Sequence, residues 1–309
     1  MPVPSKITLM NFTKTARFAL LASFLMLLTA YDCEHPDCNY ITDYYQLVYD
    51  AQLEYLKENY DNAYVLLKKA KTNCELLNQP EFRETVVYAS LSARKGLYDE
   101  AFYYLEKALK AGFPFKALEY YEGLTHLHND PRWAALQEKV LVYKDEFEHS
   151  INADLRAEII AMNKADQEVR YDRDYEKMKV VDSLNEARMK AIFTTYGYPG
   201  EKLIGWDPSS SERTGITFLL MHFKDTAYFR PLLYECIKKG ECPPQALGSM
   251  IDSQDRGSGI YTYGIYASTD STEIKDFKNL DKRRTAIGLR PWKKQKETME
   301  LIRAKYAQD

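Results

Sequence analysis

Two series of helical spacing carry polar residues at positions that should be apolar, and any chemistry is to be sought there first. Leu155, Ile159, Met162, Asp166 and Val169 follow at steps of 4, 3, 4 and 3; Met178, Asp182, Asn185, Met189, Ile192 and Tyr196 follow at steps of 4, 3, 4, 3 and 4. Each series traces one face of a helix. A carboxylate facing a core is costly without a partner or a wet cleft, so Asp166, Asp182 and Asn185 each need one. Arg170, one turn after Asp166, is the nearest cation. His222 is the second signal, because it ends the apolar run Ile216 to Met221 while the other four histidines lie upstream of residue 150. With Asp252 on a later helix it would form an acid–base couple. A purely structural reading competes: Asp166–Arg170 as an ordinary i,i+4 pair, Asp182 and Asn185 in a buried network, and His222 as a satisfied core histidine.

Other chemistries find little footing. The sequence has no H-E-x-x-H, no G-x-S-x-G, no phosphate-binding G-x-x-x-x-G-K-[ST] and no dinucleotide fingerprint. Asp252 to Gly257 resembles a calcium loop but lacks its closing glutamate. No motif assigns a cofactor or a metal.

The elements that must position these groups are helical. Spacing predicts helices at roughly 154–172, 174–196, 214–224, 227–239 and 243–255, with a forced turn at Tyr196-Gly197-Tyr198-Pro199-Gly200. Ile260 to Ala267 reads as the one strand. A short helix at about 281–287 and a basic terminal helix complete this part. Upstream, Tyr60-Asp61-Asn62-Ala63 recurs as Tyr98-Asp99-Glu100-Ala101 at an offset of 38 residues. That period, with small residues where helices approach, resembles the tetratricopeptide repeat. Asp130 and Pro131 then open a helix that would cap the array.

Residues 1–30 contain Lys6, Lys14 and Arg17 but no acid, and Phe18 to Ala30 is uncharged. This predicts a signal peptide, with Met10 as an alternative start, and a mature chain in the periplasm or cell envelope. The run is too short to span a bilayer, so no membrane span is expected in the mature chain. Cys33 raises a lipid anchor, although Tyr31 and Asp32 stand where small residues are needed. Loss of the leader moves the net charge from −3 to −6, which argues against a nucleic-acid partner. In an oxidising compartment the close pairs Cys33/Cys38 and Cys236/Cys242 are the expected disulfides, leaving Cys74 buried and unreactive.

Residues 154–291 resemble the uncharacterised bacterial family described as domain of unknown function 6624. The resemblance rests on Asp166-Gln167-x-x-Arg170, Asp182 with Asn185, Tyr196-Gly197-Tyr198-Pro199, Gly205, His222, Asp252, Tyr263-Gly264 and Asp281-x-Arg283-Arg284-x-x-x-Gly288-Leu289. The chain departs from the family pattern at Met221, Ser253 and Ile265, where Gln, Arg and Thr are usual. The resemblance implies that Tyr263 and Arg284 belong with the residues found by periodicity; it implies no activity.

The fold class expected is mainly α: tetratricopeptide-like hairpins over 40–150, then a helical domain over 151–309 with one small β element. Two functions follow. In the first, the repeats recognise a protein or peptide and the C-terminal domain holds a small polar ligand. In the second, a hydrolase-like site uses Asp166, His222 and Asp252, with Arg170 or Arg284 binding an anion.

Overall fold

The computed structural model describes residues 38–206, 214–268 and 271–306. The expected signal peptide, the alternative start Met10 and Cys33 lie outside the described residues. Among the described residues the regular structure is helical, and no helix is long and apolar enough to cross a membrane.

Asn39 caps the short α1 (Tyr40–Asp43), its side chain accepting from the Ile41 N–H at 3.1 Å. Then come α2 (Tyr45–Leu56), α3 (Tyr60–Asn73), α4 (Glu84–Arg94), α5 (Tyr98–Lys110) and α6 (Pro131–Ser150). The α2–α3 and α4–α5 pairs pack most closely, and α3 against α4 joins them. The recurring motif opens α3 and α5, and its small residues Ala63 and Ala101 are both fully buried. Glu100 holds the pairs together by accepting from Tyr64 Oη (3.1 Å), Tyr88 Oη (2.8 Å) and Ser92 Oγ (3.2 Å). The turns correspond as well. Gly96 has φ +75° and Glu58, 38 residues earlier, has φ +62°. A side chain is strained in that left-handed region, and Glu58 is exposed. Glu58→Gly is therefore expected to stabilise the fold by up to about 1 kcal/mol, read as a rise in the urea midpoint at unchanged slope.

The disulfide differs from expectation. Cys38 bonds to Cys74, with Cα atoms 5.4 Å apart, while Cys236 and Cys242 are free. Cys74 is the C-cap of α3, and packing of α3 against α2 returns it to the segment just before α1, 36 residues earlier. Nearness in sequence is no guide to that. Burial, with Glu241 alongside, pushes the Cys236 thiol up to about 11, and burial raises Cys242 further.

Asn152 and Asp174 cap the next two helices, α7 (Ala153–Tyr171) and α8 (Tyr175–Tyr196), accepting from the Leu155 and Lys177 N–H groups at 3.0 Å each. Short α9 (Glu201–Ile204) and α10 (Thr217–Leu220) precede α11 (Thr226–Lys238), α12 (Pro244–Gln254), α13 (Leu280–Ala286) and α14 (Trp292–Tyr306). The helix expected over 214–224 is thus reduced to one turn. Glu186 Oε2 takes the Lys224 N–H at 2.6 Å, and Asp225 caps α11, so the chain bends there. The strand expected at Ile260 to Ala267 does not form; its one ladder contact is the bridge between Tyr261 and Ile274. The carboxylate of Asp252 occupies the N–H groups of Tyr263 (2.8 Å) and Ile265 (2.7 Å) that a neighbouring strand would need.

A continuous apolar core runs through residues on both sides of position 150. Tyr45 Oη donates to the Ile237 and Cys242 carbonyls (3.3 Å each), Gln46 to Leu289 (3.1 Å) and Tyr49 to Gly288 (2.9 Å). Arg83 pairs with Glu201 at 2.9 Å.

Candidate functional site

The α7–α8 hairpin buries the middle of the stripes read from the sequence, Leu155, Ile159 and Met162 on α7 and Met189 and Ile192 on α8, while Val169 and Met178 are half-buried and Tyr196, at the end of α8, is exposed. Asp166 lies in the same face, 1% exposed, and Asn185 is also buried. Arg170 spans the two helices. Its Nη2 donates to Asp182 Oδ1 at 2.7 Å; its Nη1 donates to the Asp166 carbonyl at 3.0 Å and lies 2.8 Å from Asp166 Oδ1. Gln167 Nε2 donates to Asp166 Oδ2 at 2.7 Å. The guanidinium supplies charge to Oδ1 but no aligned hydrogen bond, and the Asn185 amide nitrogen likewise has no acceptor. Asn163, 3% exposed, donates to the Ile159 carbonyl (3.0 Å) and the Gly215 carbonyl (3.3 Å), tying α7 to the segment before α10. The sequence reading missed it, though its place four residues after Ile159 and three before Asp166 puts it on the same face.

His222 stands in the turn after α10, half-buried. Its backbone N–H donates to Leu219 at 3.0 Å. Burial lowers the imidazole pKa first, and the charge of Arg170 lowers it further; Asp166 and Asp182 pull the other way, and Arg256 again lowers it. The ring therefore shares the field of the α7–α8 ion-pair chain and stays neutral at pH 7, with one nitrogen as donor and the other as acceptor.

Asp252, Tyr263 and Arg284 form a second network. Asp252 is fully buried, and burial raises its pKa against the two N–H bonds that lower it. Arg284 Nη1 donates to the Tyr263 carbonyl and Nε to the Arg290 carbonyl, both at 2.6 Å. Asp252 hydrogen-bonds to the 262–265 turn and not to His222. The link between the networks runs through Gln254, whose amide donates to the Phe223 carbonyl at 3.0 Å. The expected residues thus divide: Asp166, Arg170, Asp182, Asn185 and His222 belong to one region, and Asp252, Tyr263 and Arg284 to another.

No family model, no curated protein and no solved structure matches this chain.

Among the described residues no cluster of three His, Cys, Asp or Glu side chains could hold a metal ion. A cavity of about 800 Å³ lies between the Glu75–Glu81 loop, the end of α5 and the Tyr198–Trp206 segment, and reaches the first network only at Gly215, whose carbonyl takes Asn163. Its wall is mainly apolar and includes Trp206, on whose ring Arg83 stacks at 3.6 Å. No candidate site residue lines it. The polar groups lie outside the hollow, and the unpartnered Asn185 amide beside the Asp166–Arg170–Asp182 ion pairs marks the α7–α8 hairpin as the better candidate site.

Proposed function

We propose that this is an exported cell-envelope recognition protein, in which the helix pairs over 40–150 hold a protein or peptide and the α7–α8–His222 cleft holds a small polar ligand. One observation carries the ligand site: the buried Asn185 amide nitrogen has no acceptor, beside an Asp166 carboxylate oxygen that takes the charge of Arg170 without an aligned hydrogen bond, in a region that also contains a neutral imidazole. A buried donor left unsatisfied costs roughly 1–3 kcal/mol. A ligand presenting hydroxyls or amides supplies the missing acceptor and can donate to the carboxylate, since such groups do both. The recurring motif, the equivalent buried alanines and the matching turns support a tetratricopeptide-like array, whose members mediate contact. The resemblance to domain of unknown function 6624 supports the same cleft, because its motif includes Asp166, Arg170, Asp182, Asn185 and His222.

A hydrolase-like reading is favoured by one feature: His222 lies in the field of two carboxylates, Asp166 and Asp182. In that reading Asp166 polarises or orients the imidazole, and Asp252, engaged by its turn, serves structure. Thermal-shift screening against sugars, muropeptides, nucleotides and divalent metals tests the site. The wild type is expected to respond to one class, and Asp166→Asn and His222→Ala to melt within a few degrees of it while losing that response. Two variants that melt far lower, beside a wild type that responds to nothing, would make the network structural. Turnover of the stabilising compound would decide for the enzyme.

A further inference from the structure

The second network contains two buried arginines with no carboxylate in direct ion-pair contact. Arg284 is 1% exposed and Arg290 7%. Among the described residues no carboxylate lies within 4.0 Å of either guanidinium. Each guanidinium has five N–H donors. Arg284 commits Nη1 and Nε to two backbone carbonyls. Arg290 commits Nη2 to Gln52 Oε1, and its buried Nε meets no acceptor. Tyr49 lies between the two charges: its ring centroid is 4.6 Å from Arg290 Cζ, and both guanidiniums act on its phenol.

The groups in direct contact, carbonyl oxygens and ring faces, offer only partial negative charge, and the carboxylates that act on the pair (Asp281 and Asp252 on Arg284, Glu81 and Asp50 on Arg290) stand beyond ion-pair contact. Two like charges taken out of water together are unfavourable without direct partners. Burial pushes the Arg284 guanidinium down to about 10; Tyr49, Asp281 and Asp252 oppose that, and Arg290 adds a smaller push downward. The planar N–H fork fits the oxygens of a phosphate or carboxylate, accepting two parallel bonds from one arginine. We propose that Arg284 and Arg290, walled by Tyr49 and Gln52, form a receptor for a small oxyanion. The site is distinct from the α7–α8 cleft and does not rest on the function proposed for it. It joins α2 to the α13–α14 junction, so its occupation would brace the two halves of the chain.

The test is melting and titration calorimetry of the full chain with sodium phosphate, sulfate or acetate, each against sodium chloride at equal ionic strength. At ten times the dissociation constant, binding multiplies the folding equilibrium by about eleven, which raises Tm by roughly 3–6 °C for a chain of this size. A response to phosphate and sulfate alone identifies a tetrahedral anion, and one to acetate a carboxylate; either supports the site. Arg290→Met is expected to abolish the response, Arg290→Lys to weaken binding about tenfold by loss of the fork, and Lys282→Met, which removes a nearby exposed charge, to leave it intact. Should Arg290→Met fail to fold, Arg290→Lys carries the comparison. The proposal is overturned if no oxyanion exceeds chloride, or if the Arg290 variants bind as the wild type does.

Discussion

Asp252→Ala is expected to destabilise the protein by about 2–6 kcal/mol, at roughly 1–3 for each of two backbone donors left unsatisfied. The carboxylate is fully buried, and its oxygens take the Tyr263 and Ile265 N–H groups. Alanine leaves both donors unpaired and releases the turn around Gly264, whose φ is +69° and whose two neighbours make those bonds. The damage spreads to Arg284, because the Tyr263 carbonyl is one of its acceptors. Asp252→Asn keeps one acceptor and opposes the other N–H with a donor, so it should fall between alanine and wild type. Urea unfolding of the three proteins checks the order. If Asp252→Ala stays within 1 kcal/mol of wild type, the turn is held by something else.

Glu84→Gln should do the reverse and stabilise the protein, though only at higher pH. Glu84 is fully buried in the first turn of α4, where a helix N-terminus favours a carboxylate. Burial nevertheless wins and pushes its carboxyl from 4.5 up to about 8, against bonds from its own N–H and that of Gln79, the latter at 2.7 Å. Oε1 has no partner. Below pH 4.5 folded and unfolded chains both hold the proton. Between 4.5 and about 8 only the folded chain does, so stability falls as pH rises through that window and levels off above it. The total loss is on the order of 5 kcal/mol at about 1.4 kcal/mol per pH unit. Glutamine has the shape of the protonated acid and no proton to lose. E84Q and wild type should melt together at pH 4.5 and part progressively to pH 9, with the variant higher; parallel curves would mean that Glu84 ionises at its ordinary pH.

The hairpin of the candidate site was legible because local rules determine it. Asn152 and Asp174 are caps by residue type, and a 3.6-residue period places Asp166 and Asn185 inward whatever packs above them. What the sequence concealed depends on distant partners. Ile260 to Ala267 has the β-branched and aromatic composition of a strand, but a side chain eleven residues before Tyr263 supplies the acceptor that a strand would have provided. Cys38 and Cys74 meet through helix packing. Arg290 sits in Gly288-Leu289-Arg290-Pro291, where no periodicity signals burial, and its aromatic support, Tyr49, lies on the far side of the sequence. Asp252 and His222 share a helical neighbourhood without sharing a bond, a distinction that spacing cannot draw.

Helix α2 gives Tyr45, Gln46, Tyr49 and Gln52 to bonds with residues beyond 230 or to the buried Arg290. Tyr45, Tyr49 and Gln52 recur at steps of four and three, with Gln46 three before Tyr49, and so share one side of the helix. That side is where a preceding member of a repeat array would stack. Here the remainder of the polypeptide occupies it. The helix pairs are therefore not an interchangeable cassette: grafted onto another protein, or cut free at residue 150, they would expose a tyrosine-lined scar. Any peptide the pairs receive must come to a surface that this internal closure leaves open.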